Sequence, residues 1–188
     1  MNAFFSNILS LKNTVLFGGS ALLVVVGLIF IAPNTNAAPN TTVEVDINQD
    51  LNFGKFVRPT SGNGRVRVRE DSGTVTSNNI QLLTTSGQVA EALIKINKGN
   101  NTTFHVSFSN QANLSDVEFR RFRGSYQCTK ECNFNGNFNL KTGESQSFSL
   151  DNNKKNEIKL IYGAVIRVRP TAPLGVVLPQ YQLNIDFE

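Results

Sequence analysis

The sequence is poor in the residues that metal and catalytic sites most often use. Its 188 residues include one histidine, two cysteines, one methionine and no tryptophan. These numbers cannot supply the four ligands of a structural zinc site or the thiolates of an iron–sulfur cluster. The G-x-S-x-G, H-E-x-x-H and P-loop patterns are also missing. We therefore expect no cofactor, no metal and no enzyme, and we expect His105 to be an exposed strand residue.

The chain also has little excess of either charge. Its 18 basic and 14 acidic side chains give a net charge of +4, which is too small to indicate a nucleic-acid partner. The arginines nevertheless fall into three groups, and most alternate with apolar residues. A solvated strand face is the favoured interpretation, with contact to a neighbouring subunit or an anionic glycan as the alternative. The groups are Arg65, Arg67 and Arg69; Arg120, Arg121 and Arg123; and Arg167 and Arg169.

Residues 1–37 have the pattern of a secretory signal peptide. Lys12 is their only charge, an uncharged apolar stretch follows from 15 to 32, and small residues stand at Thr35 and Ala37. We expect cleavage after Ala37, so that the mature chain crosses the periplasm to the cell surface or medium without a membrane span. The alternative is an uncleaved anchor, although at about 1.5 Å per residue the stretch barely spans a bilayer.

The two cysteines are close in sequence, in the segment Cys128-Thr-Lys-Glu-Cys132. An exported protein meets an oxidising environment, where a disulfide is the default state of such a pair. Closing so short a loop contributes only about 2 kcal/mol. We expect a disulfide that shapes a loop tip.

From residue 40 onward, apolar residues recur with period two, which is typical of half-buried strands. The longest such run covers 158–168, and another covers 181–187. Turn-forming residues separate the runs at intervals of roughly ten residues, and no window keeps helical spacing for three turns. The pattern predicts a single all-β sandwich domain over 38–188.

Two motifs near the ends of this domain carry a family resemblance. Leu51-Asn-Phe53-Gly54 stands near its start, and Ile-Tyr162-Gly163-Ala precedes an alternating terminal segment. In these motifs the chain resembles secreted bacterial β-sandwich proteins related to spore coat protein U. That group includes pilins of archaic chaperone–usher fimbriae and a sister family of unknown function. The middle of the domain, 70–155, matches only in its pattern.

The resemblance implies an immunoglobulin-like Greek-key sandwich with one strand missing from a sheet. A periplasmic chaperone would supply that strand first, and the N-terminal extension of the next subunit would then replace it at an outer-membrane usher. Main-chain hydrogen bonds and alternating apolar side chains provide the affinity in such strand addition. Segment 38–48 would be the donor, through Val43, Val45 and Ile47. The acceptor groove would involve Gly175, Tyr181, Leu183, Ile185 and Phe187.

The function expected from this resemblance is that of a structural subunit of a surface fimbria used in cell adhesion. Its partners would be the chaperone, the usher and other pilus subunits. The alternative is a self-contained secreted sandwich, such as an adhesin or a glycan-binding module, that does not polymerise.

Overall fold

The computed structural model describes residues 22–25, 42–97, 103–110, 116–150, 156–177 and 180–187. All regular elements in these ranges are β-strands, which confirms the all-β prediction. No helix long and apolar enough to cross a membrane occurs among them. The strands are β1 (Leu22–Val25), β2 (Thr42–Gln49), β3 (Asn52–Val57), β4 (Gly64–Val68), β5 (Val75–Asn78), β6 (Gln81–Leu82), β7 (Ala90–Asn97), β8 (Thr103–Asn110), β9 (Val117–Lys130), β10 (Asn135–Lys141), β11 (Ser145–Ser149), β12 (Asn156–Val168), β13 (Val176–Val177) and β14 (Tyr181–Phe187).

The largest sheet has seven strands and is built around β12. One side of β12 pairs with β9 along nearly its whole length. The other side pairs first with β7 and then with β4. The outer strands are β10 beside β9, β5 beside β4 and β2 beside β7. Because β12 is 13 residues long, it can hold two shorter strands end to end.

Two smaller sheets complete the sandwich. One has the order β13-β1-β3-β6 and the other the order β11-β8-β14. Of the strand pairings in the described residues, only that of β1 with β13 is parallel. The sheets pack face to face in a sandwich-like fold, as expected from the alternating sequence.

The core between the sheets follows the period-two pattern of the sequence. Alternate residues of β12 are buried, from Ile158 to Val168. Four aromatic rings join the layers at its centre: Phe108 stacks on Phe122 with ring centroids 4.2 Å apart, and Tyr162 shares a 2.8 Å hydroxyl hydrogen bond with Tyr181. Burial raises the pKa of both tyrosines. Their hydroxyls are therefore neutral groups that satisfy each other inside the core.

Candidate functional site

The candidate site is a strand position between β3 and β13, and in this chain β1 occupies it. Leu23 lies opposite Val176 in a parallel pairing and opposite Lys55 in an antiparallel one. A segment from inside the expected signal peptide thus completes a sheet of the sandwich. The rest of 1–37 and residues 38–41 lie outside the described residues.

The Leu51-x-Phe53-Gly54 motif builds one wall of this position. Leu51 and Phe53 are fully buried in the core. Gly54 has a positive φ of 70°, and a β-carbon there would come within 2.9 Å of the Ser86 carbonyl oxygen. The motif therefore anchors β3 from inside and lets its backbone bend against the segment that follows β6.

The second wall is the stretch from Gly175 into β14. Gly175 has a φ of 105°, a conformation that favours glycine, and it directly precedes β13. β14 pairs with β8 on one side, from Tyr181 opposite Asn110 to Phe187 opposite Phe104. Within the part of the chain that the structure describes, its other side has no strand partner. The expected groove residues Tyr181, Leu183 and Ile185 are buried in the core, whereas the side chain of Phe187 lies outside the described residues.

The expected donor segment forms an edge strand in this single chain. Along β2, Val43 and Val45 lie opposite Ile96 and Ile94 of β7 and are half-buried against the core. Ile47 remains 36% exposed. Among the described residues, β2 has a strand partner on one side only.

Ion pairs on the outer face of the sheet also hold β2. The Lys95 ammonium lies 2.5 Å from a carboxylate oxygen of Asp46 and 3.7 Å from one of Glu44. The hydrogen bond to Asp46 raises the pKa of Lys95. Such exposed pairs are worth little, typically up to about 1 kcal/mol. β2 is therefore attached by one hydrogen-bond ladder, two half-buried valines and weak ion pairs.

The remaining motif residues hold β12 against its neighbours. Tyr162 reaches the core, while Gly163 lies where a β-carbon would overlap the Val68 carbonyl oxygen of β4. The sequence resemblance pointed to these two residues without indicating this close approach of two backbones.

The expected disulfide is confirmed. Cys128 and Cys132 lie at disulfide distance, with their α-carbons 5.7 Å apart. They lie at the end of the β9–β10 hairpin. The bond closes the tip of that hairpin, consistent with the expected local role.

A family model matches residues 43–186, described as a domain of unknown function, DUF4402. The chain belongs to this family. The comparison with curated proteins gives no match. The matched range runs from β2 into β14, so it contains both motifs and both walls of the strand position, whereas β1 lies outside it.

Sequence reasoning missed the strand at 22–25, because the same apolar residues serve equally well in a signal peptide. Its two consecutive valines, Val24 and Val25, were the one available signal, since β-branched residues favour strands. His105 is half-buried, and its Nδ1 lies 2.8 Å from the Ser147 hydroxyl across the β8–β11 pair. The described residues contain no cluster of three or more His, Cys, Asp or Glu side chains able to hold a metal.

Proposed function

We propose that the chain is an exported structural subunit of a surface fimbria or related assembly, and that it polymerises by exchanging a strand. The observation that carries this proposal is the position of β1. Residues 22–25 complete the sheet between β3 and β13, and they fall within the leader that export would remove. Cleavage would leave β3 and β13 without the strand between them.

An unfilled strand position is unstable for two physical reasons. Backbone N–H and C=O groups that lose their partners in a partly buried site cost free energy unless water or another strand replaces them. An open sheet edge also pairs readily with other chains, which leads to aggregation. A periplasmic chaperone that covers the position, and an usher that directs its replacement, are the partners this scheme requires.

The vacated position extends toward β14 in this proposal. Three residues separate β13 from β14, and β14 has no strand on its second side in the described ranges. A strand longer than β1 could therefore pair with β3 on one side and with both β13 and β14 on the other. Tyr181, Leu183, Ile185 and Phe187 would then line the acceptor groove.

We propose β2 of another copy as the occupant. As an edge strand β2 forms one ladder with β7, whereas in the vacated position it would form two. When β2 leaves β7, one hydrogen-bond ladder and weak ion pairs are broken, and two half-buried valines lose their contacts with the core. Entering the new position gains two ladders and places Val43, Val45 and Ile47 against a neighbour, which favours exchange over self-pairing.

Exposed apolar side chains support the same assignment. Three large hydrophobic side chains stand out as exposed in the described residues. Ile47 lies on β2, Leu83 follows β6 and donates its N–H to Lys55 of β3, and Leu174 immediately precedes Gly175. The donor strand and the two walls of the acceptor thus each carry one apolar group available to a partner.

Replacing Val45 with aspartate is expected to block assembly. The unpaired carboxylate would enter an apolar groove, and even about 2 kcal/mol of this cost weakens each subunit contact roughly 30-fold. Size-exclusion chromatography and electron microscopy of surface material would measure the loss of polymers. Thr42→Asp is the matched control, because it adds the same charge on the exposed face of the same strand. Equal polymer formation by V45D and T42D would contradict the proposal.

The second candidate is a self-contained sandwich, and the pairing of β2 with β7 in one chain favours it. If β2 stays on β7, the domain keeps its own N-terminal strand and has no donor. Protein that remains monomeric at high concentration without a chaperone would support this second function over strand exchange.

A further inference from the structure

We propose that the outer face of the seven-stranded sheet holds a binding site for an anionic oligosaccharide bearing sulfate or carboxylate groups. A recess of about 740 Å³ lies at the end of this face where β4, β9, β10 and β12 meet. Six cationic side chains line it: Arg65, Arg120, Arg121, Arg123, Lys141 and Arg167. This site does not depend on the strand-exchange proposal.

A β-bulge brings two of these arginines to the same face. In the pairing with β12, Arg121 lies opposite Val165 and Phe119 lies opposite Ile166, so Arg120 is the extra residue. Phe119 and Phe122 are buried on either side of the two arginines. The spacing of three between the phenylalanines, irregular for a strand, is therefore the sequence signature of a bulge that directs both Arg120 and Arg121 outward.

Strand register places like charges directly opposite each other in the recess. Arg65 lies opposite Arg167 across β4 and β12, and Arg121 lies opposite Lys141 across β9 and β10. Same-sign pairs in these positions destabilise a sheet. The fold itself gains nothing from this arrangement, which is the expected situation where a ligand supplies the missing negative charge.

The protein compensates these charges only in part. Glu118 pairs with Arg167 at 2.5 Å and with Arg120 at 2.9 Å, and Glu144 pairs with Lys141 at 3.2 Å. Within the described residues, neither Arg65 nor Arg121 has a carboxylate at ion-pair distance, and the buried Nε of Arg167 has no hydrogen-bond partner. Glu70, which pairs with Arg67, also interacts electrostatically with Arg123. Three carboxylates thus face six cations.

The other half of the same sheet face provides an internal comparison. There, four residues lie side by side on the adjacent strands β2, β7, β12 and β9, and their charges alternate in sign. They are Glu44, Lys95, Glu157 and Lys130. Lys159 likewise pairs with Glu91 at 2.7 Å. Because this half of the face pairs its charges with opposite ones, the excess of positive charge in the recess is a local feature.

The chemistry of the lining favours a glycan over a single-stranded nucleic acid. Guanidinium forks bind sulfate and carboxylate oxygens with paired hydrogen bonds, and the amides of Asn63 and Asn78, which also line the recess, can bond to sugar hydroxyls. Among the described residues, no aromatic side chain lines the recess, so these residues offer no platform for stacked bases, a main source of affinity for single strands.

The test measures binding of three probes to the protein purified from its host, by calorimetry at fixed salt. The probes are a heparin-derived tetrasaccharide for sulfate, a galacturonate tetrasaccharide for carboxylate, and a single-stranded DNA of matched charge. The double variant Arg65→Gln with Arg121→Gln should weaken oligosaccharide binding roughly tenfold or more. The double variant Lys130→Gln with Lys159→Gln removes the same charge from the neutralised half and should change binding less than about twofold.

Binding by either tetrasaccharide, lost only in the arginine variant, would support the proposal and identify the preferred anionic group. No binding of either tetrasaccharide, equal losses in both variants, or tighter binding of the DNA would overturn it. Thermal unfolding checks the fold: the arginine variant should be at least as stable as the parent, because it relieves two like-charge pairs. A lower stability would contradict the charge argument.

Discussion

Deletion of residues 38–48 should yield a folded monomer that no longer polymerises. In the strand-exchange account this segment is the donor, so its loss removes the only contact that links successive subunits. The cost to the domain itself should be small, about 1–3 kcal/mol, because Val43 and Val45 are only half-buried on β2. Electron microscopy of surface material would detect polymers, and denaturant unfolding would measure the stability of the domain.

A peptide of residues 38–48 provides the control for this deletion. It should bind the shortened chain, whereas the same peptide with aspartate at Val45 should not. If the deletion unfolds the domain, β2 is an integral strand of the sandwich, and the self-contained alternative replaces the assembly account.

Replacing Phe108 with alanine should produce the largest loss of stability, about 3–5 kcal/mol. Phe108 projects from β8 and is fully buried. It stacks on Phe122 at 4.2 Å, and its ring centroid lies 5.1 Å from that of Tyr162. The substitution opens a cavity between the two layers. The neighbouring rings of Phe122, Tyr162 and Tyr181 cannot close it without repacking. Denaturant unfolding followed by circular dichroism would measure it.

Phe134→Ala is the matched control for that substitution. Phe134 contacts Tyr126 and Phe148 near the β9–β10 hairpin and is only half-buried. Its removal should cost clearly less than removal of Phe108. Similar losses for the two variants would show that the interlayer aromatic cluster does not dominate the core.

Local periodicity made much of this fold predictable. In 158–168 and 181–187 every second residue is apolar, and those of these side chains that the structure describes are buried, as the alternation requires. Alternation reports which face of a strand is inward, because side chains on successive residues point to opposite sides. It does not report which strands are neighbours, and so the pairing of 42–49 with 90–97 could not be read from it.

The features that depart from regular apolar spacing could not be predicted from the sequence. Phe119 and Phe122 looked irregular because a bulge separates them, and a bulge depends on the partner strand rather than on local sequence. Leu22–Val25 was hidden because an apolar run satisfies both a leader and a strand. The arginines form three groups that are far apart in sequence, and only the sheet register brings members of all three to one recess.

Amide hydrogen exchange on β3 tests the central claim most directly. Asn52, Gly54 and Lys55 donate their N–H groups to the Gln88 carbonyl, the Asn52 side-chain oxygen and the Thr84 hydroxyl, so these amides should be protected in every state. In a chain that lacks residues 1–37, the other β3 amides that face the strand position should exchange rapidly in the isolated monomer and slowly in the polymer. Full protection of all β3 amides in the lone monomer would mean that no strand is missing, and would contradict the account.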